Sequence, residues 1–295
     1  MSSCSSCPGK ASCHGSGDAV LLQNTRLSST LSKIQYKLFI MSGKGGVGKS
    51  SVTVNAAAAL ASKGFSVGIL DVDIHGPSVP RLLNLSGRVD ADARGEFLHP
   101  VRYNERLAVI SMDSLLRDRD SAVLWRGPKK TAAIRQFIFD VNWGELDFLL
   151  IDSPPGTGDE HMTVLKTIPD ALCIVVTTPQ EISLADVRKA VNFLQYAKAN
   201  VLGVVENMSG LRCPHCCREI ELFKKGGGSL LAEQYGLPFL GCVPLDPATV
   251  TAADQGIPVV LLEGDSPAKQ GFLALAEAIA KGAAGSLEAI AGDHS

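Results

Sequence analysis

From Lys37 onward the chain alternates short apolar runs with helical stretches, and that rhythm leaves few folds open. "KLFIM" (37–41) leads to "SSVTVNAAAALASKG" (50–64), a helical stretch that stops at a glycine, a good terminator. Further apolar runs lie at 66–73, 107–112, 146–153, 171–178, 201–208 and 239–245. Helical candidates fall near 128–141, 159–167, 182–199, 227–235, 247–255 and 267–281. Runs that are apolar on both faces and separated by helices predict a mostly parallel β-sheet flanked by helices, the α/β class. The stretch 86–105, "SGRVDADARGEFLHPVRYNE", breaks the rhythm and reads as a surface insertion or hairpin. Residues 1–35, rich in Ser, Gly, Cys and Thr, read as a flexible cysteine-containing tail and linker. Residues 36–284 read as one domain and 285–295 as a C-terminal tail.

The totals narrow the function classes. A chain of 295 residues that is 45% hydrophobic and 20% charged has apolar residues enough for a large core. A net charge of -2 gives no electrostatic reason to expect a nucleic acid or an acidic membrane as partner. No run approaches the ~18 apolar residues of a membrane span. The N-terminus has no apolar core following positive charge, so a cytoplasmic, reducing setting is expected and a disulfide framework is not.

One loop carries specific chemistry. Gly43-x4-Gly48-Lys49-Ser50 satisfies the phosphate-loop pattern and sits between an apolar run and a helical stretch, the context that pattern requires. Gly43, Gly45, Gly46, Val47, Gly48 and Ser51 form the cradle. Its glycines let backbone N–H groups turn toward phosphates, at the positive end of the following helix. Lys49 is expected to neutralise the β- and γ-phosphates, and the Ser50 hydroxyl to ligate Mg²⁺. Carboxylates follow at run ends: Asp71 and Asp73 in "ILDVDIHGPS", and Asp152 in "LLIDSPPGTGDE". An open parallel sheet places ligands beyond those ends. Asp152 after four apolar residues is a Walker B arrangement, holding Mg²⁺ through water. "PPGTGD" supplies a glycine-rich segment able to sense a γ-phosphate.

Cysteines form a second cluster set. Cys4, Cys7 and Cys13 lie in the tail, and Cys213, Cys216 and Cys217 in "CPHCC". Such clusters in a chain without a secretion signal read as metal ligands or redox thiols. Cys173 and Cys242 stand alone in the apolar runs "ALCIVV" and "FLGCVPL" and are expected in the core. Cys213-x-x-Cys216 offers two soft thiolates for one metal centre, too few for tetrahedral zinc or a [4Fe–4S] cluster within one chain. A two-fold dimer doubles them to four. Cluster, structural zinc and redox dithiol all fit this pair, in that order of preference.

The motifs resemble a known family. "KGGVGKS" is similar to the deviant Walker A of the MinD/ParA/nitrogenase-iron-protein superfamily of P-loop NTPases. That resemblance implies that Lys44 reaches across a homodimer interface to the partner's phosphates, as a cation supplied in trans. It implies Asp73 as the residue orienting the attacking water and Asp71 as its neighbour in the Mg²⁺ shell. It implies Asn207 as the adenine contact, and Pro244 packed against the base. "DVDIHGPSVPRLL", "WRGPKK", "DSPPGTGDEHMT" and "ENMSGLRCPHC" together resemble the Mrp/ApbC-type iron–sulfur cluster carrier ATPases over about residues 37–281. By that resemblance the chain is an ATPase whose homodimer bridges a labile [4Fe–4S] cluster between Cys213/Cys216 pairs. It receives the cluster from cluster-assembly scaffold proteins and hands it to apo iron–sulfur proteins, with ATP and Mg²⁺ as its other ligands. Cys4, Cys7 and Cys13 resemble the cysteine tail of eukaryotic cytosolic scaffold relatives, short of a fourth, earlier cysteine. A MinD/ParA-like positioning ATPase is the main alternative, but it needs a basic or amphipathic surface element and leaves "CPHCC" unexplained. An ATP-driven reductase is another, but it needs cysteines near the switch segments, where the chain has none.

Overall fold

The computed structural model describes residues 30–73, 76–86, 89–92, 97–112, 127–213 and 215–292. Its centre is a nine-stranded sheet. Six parallel strands stand in the order β9 (Asn200–Arg212), β8 (Leu172–Thr177), β1 (Ile34–Ser42), β7 (Leu146–Asp152), β2 (Val67–Asp71) and β6 (Leu107–Ser111). β11 (Phe239–Leu245) pairs parallel with β9 at that edge. Two short antiparallel strands finish the sheet, β10 (Glu219–Ile220) on the end of β9 and β5 (Val101–Arg102) on β6. The 86–105 stretch holds a hairpin of β3 (Asp90–Ala91) and β4 (Leu98–His99), as its broken rhythm predicts.

Side chains of a strand alternate between faces, so an unbroken apolar strand feeds two cores. In β1, Leu38 and Ile40 join one cluster and Phe39 and Met41 the other. In β7, Phe148 and Leu150 face the first, Leu149 and Ile151 the second. Helices α1 (Lys49–Ser62) and α8 (Pro267–Gly292) cover the first face. The second is covered by α3 (Gly127–Asp140), α4 (Asp159–Thr167), α5 (Glu181–Tyr196) and α6 (Gly227–Gln234). The run Ala56–Ala59 of α1 is buried throughout, and small side chains let this helix lie close against its neighbours. Short helices α2 (Val79–Leu82) and α7 (Pro247–Asp254) pack beside them.

Three features differ from the sequence expectations. The last helix runs on to Gly292, because Ala-rich sequence carries helix past Gly282 and Gly285. β9 extends to Arg212 rather than stopping near Met208, although "NMSG" has turn composition. It bends there, with Met208 at φ 58° and Gly210 at φ 70°. Cys242 is exposed, which corrects its placement in the core. It lies on the outermost parallel strand, where a register shift between Phe239 and Gly241 breaks the alternation. Cys173 does lie in the core, and burial pushes its thiol up to about 12. No helix among the described residues is long and apolar enough to cross a membrane.

Candidate functional site

The loop from Gly43 to Gly48 joins β1 to the start of α1. Gly48 has φ 78°, a left-handed conformation that glycine adopts without strain. Gly43 is fixed by proximity instead. A Cβ there would lie 2.3 Å from the backbone carbon of Asp186 in α5, so that helix permits only glycine. The Ser42 hydroxyl donates to the Lys44 carbonyl (2.9 Å), and the Gly156 N–H to the Ser42 carbonyl (3.0 Å), drawing the "SPPGTG" segment under the loop.

Four polar side chains converge at the first turn of α1. Lys49 Nζ lies 2.8 Å from Asp152 Oδ1, with the carboxylate completely buried. Ser50 Oγ donates to Asp152 Oδ2 (2.6 Å) and Thr53 Oγ1 to Asp152 Oδ1 (2.7 Å). A buried carboxylate is tolerated only when its charge and lone pairs are met, and here both oxygens are engaged. Thr53 is absent from the sequence-based assignment. The signal was available, since it stands four residues after Lys49 on the same helix face.

Asp71 is the register partner of Asp152 on the next strand. It accepts from the Asp73 N–H (3.1 Å) and from Ser111 Oγ (3.0 Å). Burial, and then repulsion by Asp152, raise its carboxyl well above the usual carboxylate range, while Lys49 pulls the other way. Two carboxyl groups this close in a dry site create a demand for positive charge, which is the condition for holding Mg²⁺. Ser50, Asp71 and Asp152 therefore form a donor set suited to that ion. Asp73 accepts from the Gly76 N–H (3.2 Å) and lines a cavity of about 320 Å³ together with Lys44, Lys49, Ser50 and Pro155.

A second cavity, of about 220 Å³, shares Gly48, Ser51 and Leu82 with the first. Its walls are apolar, with Met208, Pro244, Val250 and Phe272 among them. Asn207 also lines it and donates from Nδ2 to the Val47 carbonyl (2.9 Å). A cation-bearing compartment sharing a wall with an apolar one suits a nucleotide, phosphates in the first and base in the second. Every expected loop residue, with Asp71, Asp73, Asp152, Asn207 and Pro244, lies at this one place.

The cysteine pair lies elsewhere on the same edge of the sheet. β9 passes Asn207 at the apolar cavity and ends at Arg212, one residue before Cys213. The turn is closed by the Cys213 N–H on the Arg218 carbonyl and the Cys217 N–H on the Cys213 carbonyl, both 2.9 Å. Backbone N–H groups of Cys216 and His215, and then the Cys216 thiol, hold the Cys213 thiol below its ordinary range. That favours the thiolate, the form that binds metal. Cys216 and Cys217 are exposed and Cys213 half-buried. Among the described residues no three His, Cys, Asp or Glu side chains come together as one metal site. Cys4, Cys7 and Cys13 lie outside the described residues.

The geometry has counterparts among known proteins. The family model of the NUBPL iron-transfer P-loop NTPases, within the ParA group, matches residues 33–280. An iron-sulfur cluster carrier protein of Methanocaldococcus jannaschii is 46% identical over 262 residues, covering 88% of this chain and 90% of that protein. The cytosolic Fe-S cluster assembly factor CFD1 of Saccharomyces cerevisiae is 49% identical over 232 residues, covering 76% and 78%. Among solved structures, a nucleotide-binding protein in complex with ADP from Archaeoglobus fulgidus is 38% identical with a TM-score of 0.72, covering 84% of this chain and 96% of its own. The cell-division ATPase MinD of Pyrococcus furiosus, 24% identical with a TM-score of 0.61, shares the fold over 83% of this chain and 98% of its own.

Proposed function

The chain belongs to the family of NUBPL iron-transfer P-loop NTPases, and from that premise we propose that it is a homodimeric ATPase carrying an iron–sulfur cluster to apo-proteins. The relatives named as cluster carriers and assembly factors support the cargo. The observation that carries the reading is the cysteine turn itself. Two thiols stand at the exposed end of a strand that also lines the nucleotide cavity, and no third ligand joins them among the described residues. A cluster held there needs ligands from a second copy, and four thiolates suit [4Fe–4S]. The cluster is cargo, taken from scaffold proteins in the cytoplasm and passed on.

The nucleotide half of the reading follows from the loop. Lys49 exchanges its Asp152 contact for the β- and γ-phosphates. Ser50 and Asp152 would hold Mg²⁺, with Asp71 behind them, and the ion would neutralise phosphate charge. Asp73, on the cavity wall, orients the attacking water. Lys44 serves the partner's phosphates and stabilises charge in the transition state. Asn207 and Pro244 hold the base.

Anaerobic reconstitution with iron and sulfide tests this. The expected product is a brown dimer with about four irons. A Cys213→Ser/Cys216→Ser variant is expected to lose iron and colour while binding nucleotide as before. Iron retained by that variant, or by a strict monomer, overturns the assignment.

A further inference from the structure

Strand β9 runs from one site to the other, and its two faces do different things. Asn207 faces the phosphate loop. Its Nδ2 meets the Val47 carbonyl, and a Cβ on Gly48 would lie 2.3 Å from the same atom. The residue before it on a strand points the opposite way. There stands Glu206, wholly buried.

Glu206 accepts three hydrogen bonds. Ser209 Oγ donates to Oε1 (2.5 Å), the Gly226 N–H to Oε1 (2.9 Å) and the Gly228 N–H to Oε2 (2.5 Å). Ser209 lies before the cysteine turn on β9, and Gly226 and Gly228 lie beyond β10, at the far end of the segment that carries the turn. One carboxylate thus pins both ends of the segment that contains Cys213 and Cys216. The packing around it is tight. A Cβ on Gly228 would lie 3.0 Å from Glu206 Cβ and 3.1 Å from Thr177 Cγ2. Lys225, next to Gly226, pairs with Glu219 of β10, which adds a tie within the same segment. A buried carboxylate with both oxygens engaged is rigid, because letting go of a partner leaves charge unmet.

We propose that Glu206 is a positioning residue that couples the nucleotide cavity to the cysteine turn, so that nucleotide state sets the reactivity of Cys213 and Cys216. A shift of Asn207 passes along one peptide to Glu206 and, through its three donors, to both roots of the turn. This deepens the carrier reading and rests on it for the meaning of the turn. Its readout needs no cluster, so the two fail separately.

The test measures alkylation of Cys213 and Cys216 by iodoacetamide in the full-length, reduced, metal-free chain, resolved by peptide mass spectrometry. Rates are compared with ADP, with a non-hydrolysable ATP analogue and Mg²⁺, and without nucleotide. The wild type is expected to show rates differing about fivefold or more between nucleotide states, the lower range of ordinary allosteric coupling. Glu206→Gln keeps the shape but turns an amide donor toward backbone N–H groups. It is expected to bind a fluorescent ADP as the wild type does, while its alkylation rates converge to within about twofold. Ser209→Ala, which removes one donor, and Gly228→Ala, which crowds Glu206 with a methyl group, both keep the carboxylate; they are expected to fall between, and they decide the matter where Glu206→Gln does not fold. A merely structural role lowers the melting temperature of these variants and leaves the nucleotide response intact. That result, or a wild type whose thiols ignore nucleotide, overturns the proposal. Coupling in a chain that takes up no iron would sink the carrier reading alone.

Discussion

At the phosphate loop the charged groups of the first helical turn are already satisfied. Lys49, Ser50 and Thr53 meet on Asp152, and Asp71 is held by Ser111 and the Asp73 N–H. At the cysteine turn the reverse holds. Its backbone is closed by two hydrogen bonds, while Cys216 and Cys217 face outward. The first region is a finished device that a ligand rearranges. The second is left open, with its thiols pointed away from the chain. A single sequence can encode both because only the first lies within the folded core, where unmet polar groups are costly.

The contrast predicts where substitutions hurt. Asp152→Ala strands Lys49 in the interior and is expected to cost about 3–5 kcal/mol, besides abolishing nucleotide binding. Urea denaturation and fluorescent-nucleotide titration measure the two losses. A mild cost would mean that the loop is less closed than its hydrogen bonds suggest. Lys44→Ala probes the one part of the loop read as serving a second chain. Binding is expected to survive while turnover falls about a thousandfold, and full turnover would return Lys44 to an ordinary loop role.

A pH series sharpens the comparison on the nucleotide side. His161, in α4 behind the "PPGTGD" segment, is buried between Phe39 and Phe193, and among the described residues neither ring nitrogen makes a well-formed hydrogen bond, the nearest approach being to the Pro154 backbone. Burial first, with Lys49 adding to it, lowers its pKa from 6.5 to about 4. The unfolded chain therefore takes up this proton before the folded one does. The contribution is complete above pH 6.5 and drains away as pH falls toward about 4, roughly 3 kcal/mol in all. His161→Leu is expected to flatten that slope in denaturation curves, and an unchanged slope would place the sensitivity elsewhere. The smallest stability effect belongs to the turn. Cys213→Ser/Cys216→Ser is expected to unfold within about 0.5 kcal/mol of the wild type. A larger loss would show that these thiols support the fold.

Motifs with fixed spacing were legible in the sequence, and so was the layered α/β plan. The phosphate loop, its strand-end aspartates and the cysteine pair depend on local order, and local order is what a sequence displays. Cys242 shows where that stops. "FLGCVPL" is apolar enough for a buried strand, but apolarity does not reveal that the strand lies at the edge. Asn207 shows another limit. The apolar run that holds it ends at Met208, where "NMSG" has turn composition, yet β9 continues to Arg212, because pairing with β11 and β10 outweighs local preference. Glu206 gave no signal at all, since its three donors come from residues up to 22 positions away.

The closeness of Gly43 to α5 has a consequence for anyone recombining such chains. With 2.3 Å between a would-be methyl group and the Asp186 backbone, loop and helix form a matched pair, like a key and its ward. A relative whose loop carries any side chain at this position cannot accept the helix at the same distance, so the two are expected to be exchanged together. A graft from β1 through α5 carries the phosphate loop with its matched helix, and one that also carries Asn207 and Pro244 runs on through β11.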